Sequence, residues 1–246
     1  MKHNKLLILA ILFMTVRANA QYSGGVGYPT AYGAFSIGVS LPMGAFGSAS
    51  PKDWTGYANT GMAYQISVGI PFSKSNFGIA VLGGFDKNSY DAGSYGSTLS
   101  KNDTSNTYST VTAISYSQYY LMGGIFASSN THNGFSVDGR LVGGFIYINY
   151  PSPYWTTSLN SNPTIQESWY QNTTPTTTFA IDLGVGMRYY FESGFTVLAS
   201  FDFLHTNANI TTQQLIDSGN NQTQTTLSNS LSITSFNITV GVGYSL

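Results

Sequence analysis

The stretch 181–195, IDLGVGMRYYFESGF, decides the fold. Ile181, Leu183, Val185, Met187, Tyr189 and Phe191 share one parity, and all are apolar or aromatic. Asp182, Gly184, Gly186, Arg188 and Tyr190 share the other. A period of two means a strand with two unlike faces. Six large apolar residues do not belong in water, and an acid and a base among glycines do not belong in oil. The strand requires an apolar medium on one side and a narrow polar space on the other.

The rest of the chain repeats this alternation. Phe35, Ile37, Val39 and Leu41 oppose Ala34, Ser36, Gly38 and Ser40. Met62, Tyr64, Ile66, Val68, Ile70 and Phe72 oppose Ala63, Gln65, Ser67 and Gly69. Phe77, Ile79, Val81 and Phe85 oppose Gly78, Ala80, Gly84 and Asp86. Residues 135–149 set Phe135, Val137, Leu141, Phe145 and Tyr147 against Ser136, Asp138, Arg140 and Gly144. Residues 195–204 and 234–246 behave alike, so seven strands are explicit. An eighth is expected within 112–127, where Tyr116, Tyr120, Met122 and Phe126 share a parity with Gln118. A bulge that switches the faces would reconcile that glutamine with an apolar side.

Composition fits such strands. Charged residues are 8% of 246, against the roughly 25% of ordinary soluble domains. There are 18 Tyr, 15 Phe and 27 Gly, and no cysteine, so a disulfide-stapled scaffold is excluded. Past the N-terminus no apolar run approaches the roughly 20 residues of a membrane helix. Residues 1–20 read as a secretory signal peptide: Lys2 and Lys5, an apolar run Leu6–Val16, and an Ala18-Asn19-Ala20 cleavage site before Gln21. Removing Lys2, Lys5 and Arg17 leaves six basic against ten acidic residues, a formal net charge of −4. That balance gives no basis for nucleic-acid binding.

Connections alternate in length. Those from Leu41 to Thr60, Lys87 to Val111, Pro151 to Thr176 and Thr206 to Ser230 are long. Those at Ser73–Asn76, Ser128–Gly134 and Glu192–Gly194 are short. An outer-membrane barrel has this asymmetry, with short periplasmic turns and long outer loops. Phe72 and Phe77, Phe126 and Phe135, and Phe191 and Phe195 bracket the short turns, with Tyr244 at the same end. Together they form the expected periplasmic-side aromatic girdle. The apolar parity then faces lipid (Val185, Val197, Phe201, Ile238, Val240), while Asp182, Arg188, Asp202 and Asn237 face the lumen.

The fold class is all-β: an eight-stranded antiparallel transmembrane up-and-down barrel over residues 21–246. The leader RANAQ, the strand pattern and the ending FNITVGVGYSL resemble the small eight-stranded outer-membrane β-barrel proteins of the OmpA, OmpX and OmpW type. The resemblance implies the outer membrane of a Gram-negative bacterium, outer-membrane lipid around the barrel and assembly by the barrel-assembly machinery. It carries no catalytic or ligand motif. The family usually ends in Phe or Trp, whereas here Leu246 follows Tyr244 by two positions, and no further domain is expected after it.

The strongest polar constellation is Asp138, Arg140, Asp182, Arg188 and Asp202, inward on three consecutive strands. Charges in a narrow lumen need partners. They form a salt-bridged plug, an ion path, or a site for a small polar solute. Asp138 is expected to contact Arg188 or Arg140, with Asp182 and Asp202 in the upper half. His132 and His205 come with no nucleophile set, so no enzyme, cofactor or metal site is expected. The Ser/Thr/Asn/Tyr-rich outer loops, with Trp54, Trp155 and Trp169, offer a surface to protein or other surface ligands. The alternatives are a narrow porin-like channel or carrier of small hydrophobic compounds, and a soluble secreted β-barrel holding an apolar ligand.

Overall fold

The structure, a computed structural model, describes residues 29–48, 56–73, 75–102, 106–130, 134–159, 162–191, 193–218 and 221–245. The leader, Trp54, His132, Glu192 and Leu246 lie outside them. Eleven strands and one helix follow in the order β1 (Tyr32–Met43), β2 (Ala58–Pro71), β3 (Phe77–Tyr90), α1 (Ala92–Asn102), β4 (Asn106–Thr112), β5 (Tyr116–Asn130), β6 (Phe135–Asn149), β7 (Tyr154–Leu159), β8 (Asn162–Thr173), β9 (Thr176–Tyr190), β10 (Phe195–Asp217) and β11 (Gln222–Ser245). Eight of them close a ring in the order β1-β2-β3-β5-β6-β9-β10-β11, with β11 pairing back onto β1. Every neighbouring pair is antiparallel. Closure satisfies the backbone of each barrel strand on both sides, which an apolar medium demands.

The two parities sort as their chemistry requires. Leu121 (66% exposed), Phe145 (68%) and Val240 (60%) stand outside, while Asp202 and Asn237 are wholly enclosed. Val185, Val197 and Phe201 also face outward, and Ile238 is half-buried on the same side. An apolar belt of this extent is far larger than the patches a water-soluble monomer exposes. At one end the strands turn tightly. Gly134 (φ 77) and Gly194 (φ 83) take the left-handed conformation that lets two of those turns close.

Two expectations change. β5 carries no bulge in either of its seams. Tyr116, Gln118, Tyr120, Met122 and Phe126 all point inward, and Tyr119, Leu121 and Ile125 form the outer face. Phe126 is therefore not part of the aromatic girdle. It is 2% exposed and packs edge-on against Tyr32 at 6.2 Å inside the barrel. The reason is volume. β3 presents Gly78 and Gly84 to the interior, and a Cβ at either would collide with the Phe126 or Tyr120 ring. The bulky parity of β5 fills what its neighbour leaves empty. Phe72, Phe77, Phe135, Phe191, Phe195 and Tyr244 do stand exposed around the short-turn end.

At the opposite end the long connections carry structure of their own. β10 and β11 run on as a hairpin to Asp217↔Gln222, so Thr206–Ser230 is mostly strand. β8 adds to β10, β7 to β8 and β4 to β7, which extends the sheet beyond the barrel. The tract SYGSTLSKN winds as α1.

Candidate functional site: a charged lumen beneath an aromatic cap

Alternation on β6, β9 and β10 sends five charged side chains into one narrow interior. They form two ion-pair groups. Near the short-turn end, Arg188 and Asp138 meet in a bidentate pair, Nε to Oδ2 and Nη2 to Oδ1, the latter at 2.6 Å. Arg188 is 1% exposed. Its guanidinium lies 3.7 Å over the Tyr32 ring and 5.3 Å from that of Tyr190, and Nη2 reaches Ser128 Oγ at 3.4 Å. Two aromatic faces and a forked carboxylate fix its plane, which a point-charge ammonium would not exploit.

Higher up, Arg140 bridges two acids. Its Nη2 lies 2.7 Å from Asp202 Oδ1 and its Nε lies 3.6 Å from Asp182 Oδ1. Gly184 sits between these groups. A Cβ there would come within 2.7 Å of Arg140 Nε and would also overlap the Asp202 carboxylate. Ser200 donates to Asp202 Oδ2 at 3.0 Å and shares a 2.7 Å bond with Thr239.

A sixth charge completes the interior. Asp86 is enclosed and accepts from Asn237 Nδ2 at 2.8 Å and from the Tyr120 hydroxyl at 3.4 Å. Gln65 ties this group to the ion pairs, donating to Tyr120 at 3.3 Å and accepting from Arg140 Nη2 at 3.4 Å. Sequence reasoning left Asp86 out of the charged set, although its inward parity on β3 was the signal for it. The set was drawn from three consecutive strands, whereas a closed ring brings β3 and β11 to the same space. A small cavity of about 20 Å³ lies among these groups, lined by Tyr32, Phe126, Asp138, Arg140, Arg188 and Ser200 among others. That is room for about one water.

Above the charges the interior turns apolar. Ile146, Ile148, Leu204, Ile210, Leu231 and Ile233 are buried there. Phe46, Tyr57, Tyr90, Tyr95, Tyr116, Tyr150 and Trp155 close over them. Phe46 meets Tyr116 at 5.0 Å, Tyr57 meets Tyr95 at 5.3 Å and Tyr95 meets Trp155 at 5.6 Å. The Tyr116 hydroxyl donates to Gly56 O at 2.9 Å and accepts from Gly56 N at 3.3 Å, which pins the β1–β2 connection across the mouth. Asp91 caps α1, accepting from Ser94 N at 3.0 Å and Ser94 Oγ at 2.7 Å. These Ser94 hydrogen bonds hold its carboxyl below the usual carboxylate range.

His205 lies on the outer face of β10 and bonds Thr234 Oγ1 at 2.9 Å, whereas Asp202 points into the lumen. The two are close in sequence and on opposite sides of the wall.

No family model matches the chain, and no curated protein matches its sequence. Solved structures share its fold. A major outer membrane protein of Thermus thermophilus matches with a TM-score of 0.50 at 10% identity, over 88% of this chain and 99% of that one. The fold is that of an eight-stranded outer-membrane β-barrel. Neisserial surface protein A (TM-score 0.45) and the attachment invasion locus protein Ail of Yersinia pestis (0.41) are also similar, each at 10% identity over 88% of this chain, 97% and 99% of theirs. In an outer-membrane barrel the exposed apolar belt is the surface turned to lipid, and the charged face is the lumen.

Proposed function

We propose that the protein is a closed, non-enzymatic barrel of a Gram-negative outer membrane, serving envelope structure and surface interaction. Its short turns lie in the periplasm, and its cap and extended sheet lie outside. One observation carries the reading: buried ion pairs and aromatic rings crowd the interior. Two buried arginines are paired to three aspartates, a cavity beside them takes about one water, and an aromatic cap lies over the outer mouth. This arrangement speaks against a continuous path for solute, and a lumen lined by charge at mid-height is a poor host for an apolar ligand. The eight seams are paired along the wall, which argues against lateral escape of a small hydrophobic compound.

Planar-bilayer recording of the refolded protein tests this. The expected result is a closed baseline at moderate voltage. A steady conductance that rises with salt concentration would favour the narrow-channel alternative.

A further inference from the structure

The outward wall of the barrel is not evenly covered. Phe77, Ala127, Gly139 and Val185 stand level on four neighbouring strands, β3, β5, β6 and β9, with no register shift between them. All four lie on the outward parity, so two large side chains flank one small and one missing. The next outward row on β5, β6 and β9 is Ile125, Leu141 and Leu183, all exposed and all on the side away from the short turns. Together these residues line a notch of about 280 Å³. A cavity of roughly 150 Å³ already holds a benzene ring.

Nothing inside the protein calls for a glycine at this place. Gly139 is exposed, its φ is not in the left-handed region, and a Cβ there would meet nothing within 4 Å. At Gly124 and Gly144, by contrast, a Cβ would run into the backbone of Leu141 and Leu121. Glycine weakens a strand, and within one it often marks a point where another molecule comes close. The notch is also fixed in shape, because β6 is paired along both sides of Gly139.

We propose that this notch binds one acyl chain of a phospholipid. It lies in the apolar belt and begins level with Phe77, a ring of the girdle at the short-turn end. A lipid whose headgroup sits at that girdle lays the first part of a chain along Gly139. Between apolar surfaces in a bilayer there is no hydrophobic drive, and close fit decides which contacts last. The convex wall touches a chain on one side. The notch touches it on three, with Phe77, Val185 and the ridge of Ile125 and Leu141, and each close contact adds dispersion energy. The choice of phospholipid rests on the orientation proposed above, which turns this end of the barrel to the periplasmic leaflet. A second copy of the chain fits worse. Two barrels meeting here about an axis along the membrane normal would set notch against notch and leave a void.

The test titrates the delipidated, refolded barrel in detergent with phosphatidylethanolamine, read by native mass spectrometry. A first lipid should bind about tenfold or more tighter than those that follow. Gly139→Leu fills the notch and should bring the first lipid down to the level of the rest. Ala127→Leu fills it from β5 and should do the same. Gly123→Leu lies on the same outer face outside the notch, where the nearest atom to a Cβ is 3.9 Å away, and should bind like wild type. All three variants should keep the folded form's mobility on unheated gels. A phosphatidylethanolamine with a photoreactive diazirine in one chain should crosslink to peptides that hold Ile125 or Leu141. Equal binding of successive lipids, a first lipid indifferent to both filling variants, crosslinks elsewhere, tighter binding of lipopolysaccharide at the notch, or a dimer that the filling variants abolish would each overturn the proposal. Protease on intact cells reads the orientation and bilayer conductance reads the closed lumen, so failure of either is told apart from failure of the site.

Discussion

Arg188 does more than balance a charge. It is enclosed, forked onto Asp138, and lies over the Tyr32 ring with the Tyr190 ring nearby. Arg188→Ala would leave Asp138 buried without its partner, a loss on the order of 3–5 kcal/mol. Urea unfolding in detergent should show it as a lower midpoint, while Lys87→Ala on the exposed face should shift stability by no more than about 0.5 kcal/mol. Gly184 tests the neighbouring group. Gly184→Ala should weaken the barrel because the methyl displaces either Arg140 or Asp202, and the same unfolding assay reads it. An unchanged midpoint would mean that the Arg140 bridge contributes little. At this scale the sequence was partly legible. Parity put Asp138 and Arg188 on adjacent strands facing inward, near the same end. Parity also placed Asp86 inside, but not its reliance on Asn237 and Tyr120, because those partners come from β11 and β5, far off in sequence.

Elements differ in how openly they declare their faces. In β9 and β11 the outer parity is large and apolar and the inner one small or polar, so alternation alone assigns both. β5 obscures the rule. Its inner parity holds Tyr116, Tyr120, Met122 and Phe126, and its outer parity includes Gly123 and Ala127. The sequence of β3, with Gly78, Ala80 and Gly84 inside, explains the inversion, but only once the two strands are known to be neighbours. The outer hairpin is hidden for another reason. Beyond the membrane both faces of a strand meet water, so Gln222–Ser228 shows no alternation and reads as loop. On β11 itself, Val240→Arg puts a charge on the apolar face and should cost roughly 2–4 kcal/mol if it lies near the midplane. Unfolding of the barrel in lipid vesicles measures that cost. At the rim, α1 is sensitive to acid through Asp91. Its carboxyl titrates lower folded than unfolded, so its contribution is present above the unfolded value and lost as pH falls through the folded one. Amide exchange in α1, corrected for the intrinsic rate, should accelerate over that acid window in wild type. Asp91→Asn should abolish the dependence.

For the molecule as a whole, the layers inside the barrel and the medium outside it form one account. The wall turns apolar residues outward because lipid covers them, and charged residues inward because they can pair there. The cap and the extended sheet carry the neutral polar chain into water. Protease added to intact cells should therefore cut the outward connections, such as the one around Ser218, and spare the turn at Phe72–Phe77. The sidedness of the wall is the central claim. The absence of cysteine lets single Val185→Cys, Val240→Cys, Ser200→Cys and Thr239→Cys variants be spin-labelled cleanly. In vesicles, labels at 185 and 240 should collide freely with oxygen dissolved in the bilayer and be shielded from an aqueous nickel chelate. Labels at 200 and 239 should be shielded from both. Labels at 185 and 240 that collide with the nickel chelate and not with oxygen would contradict the account.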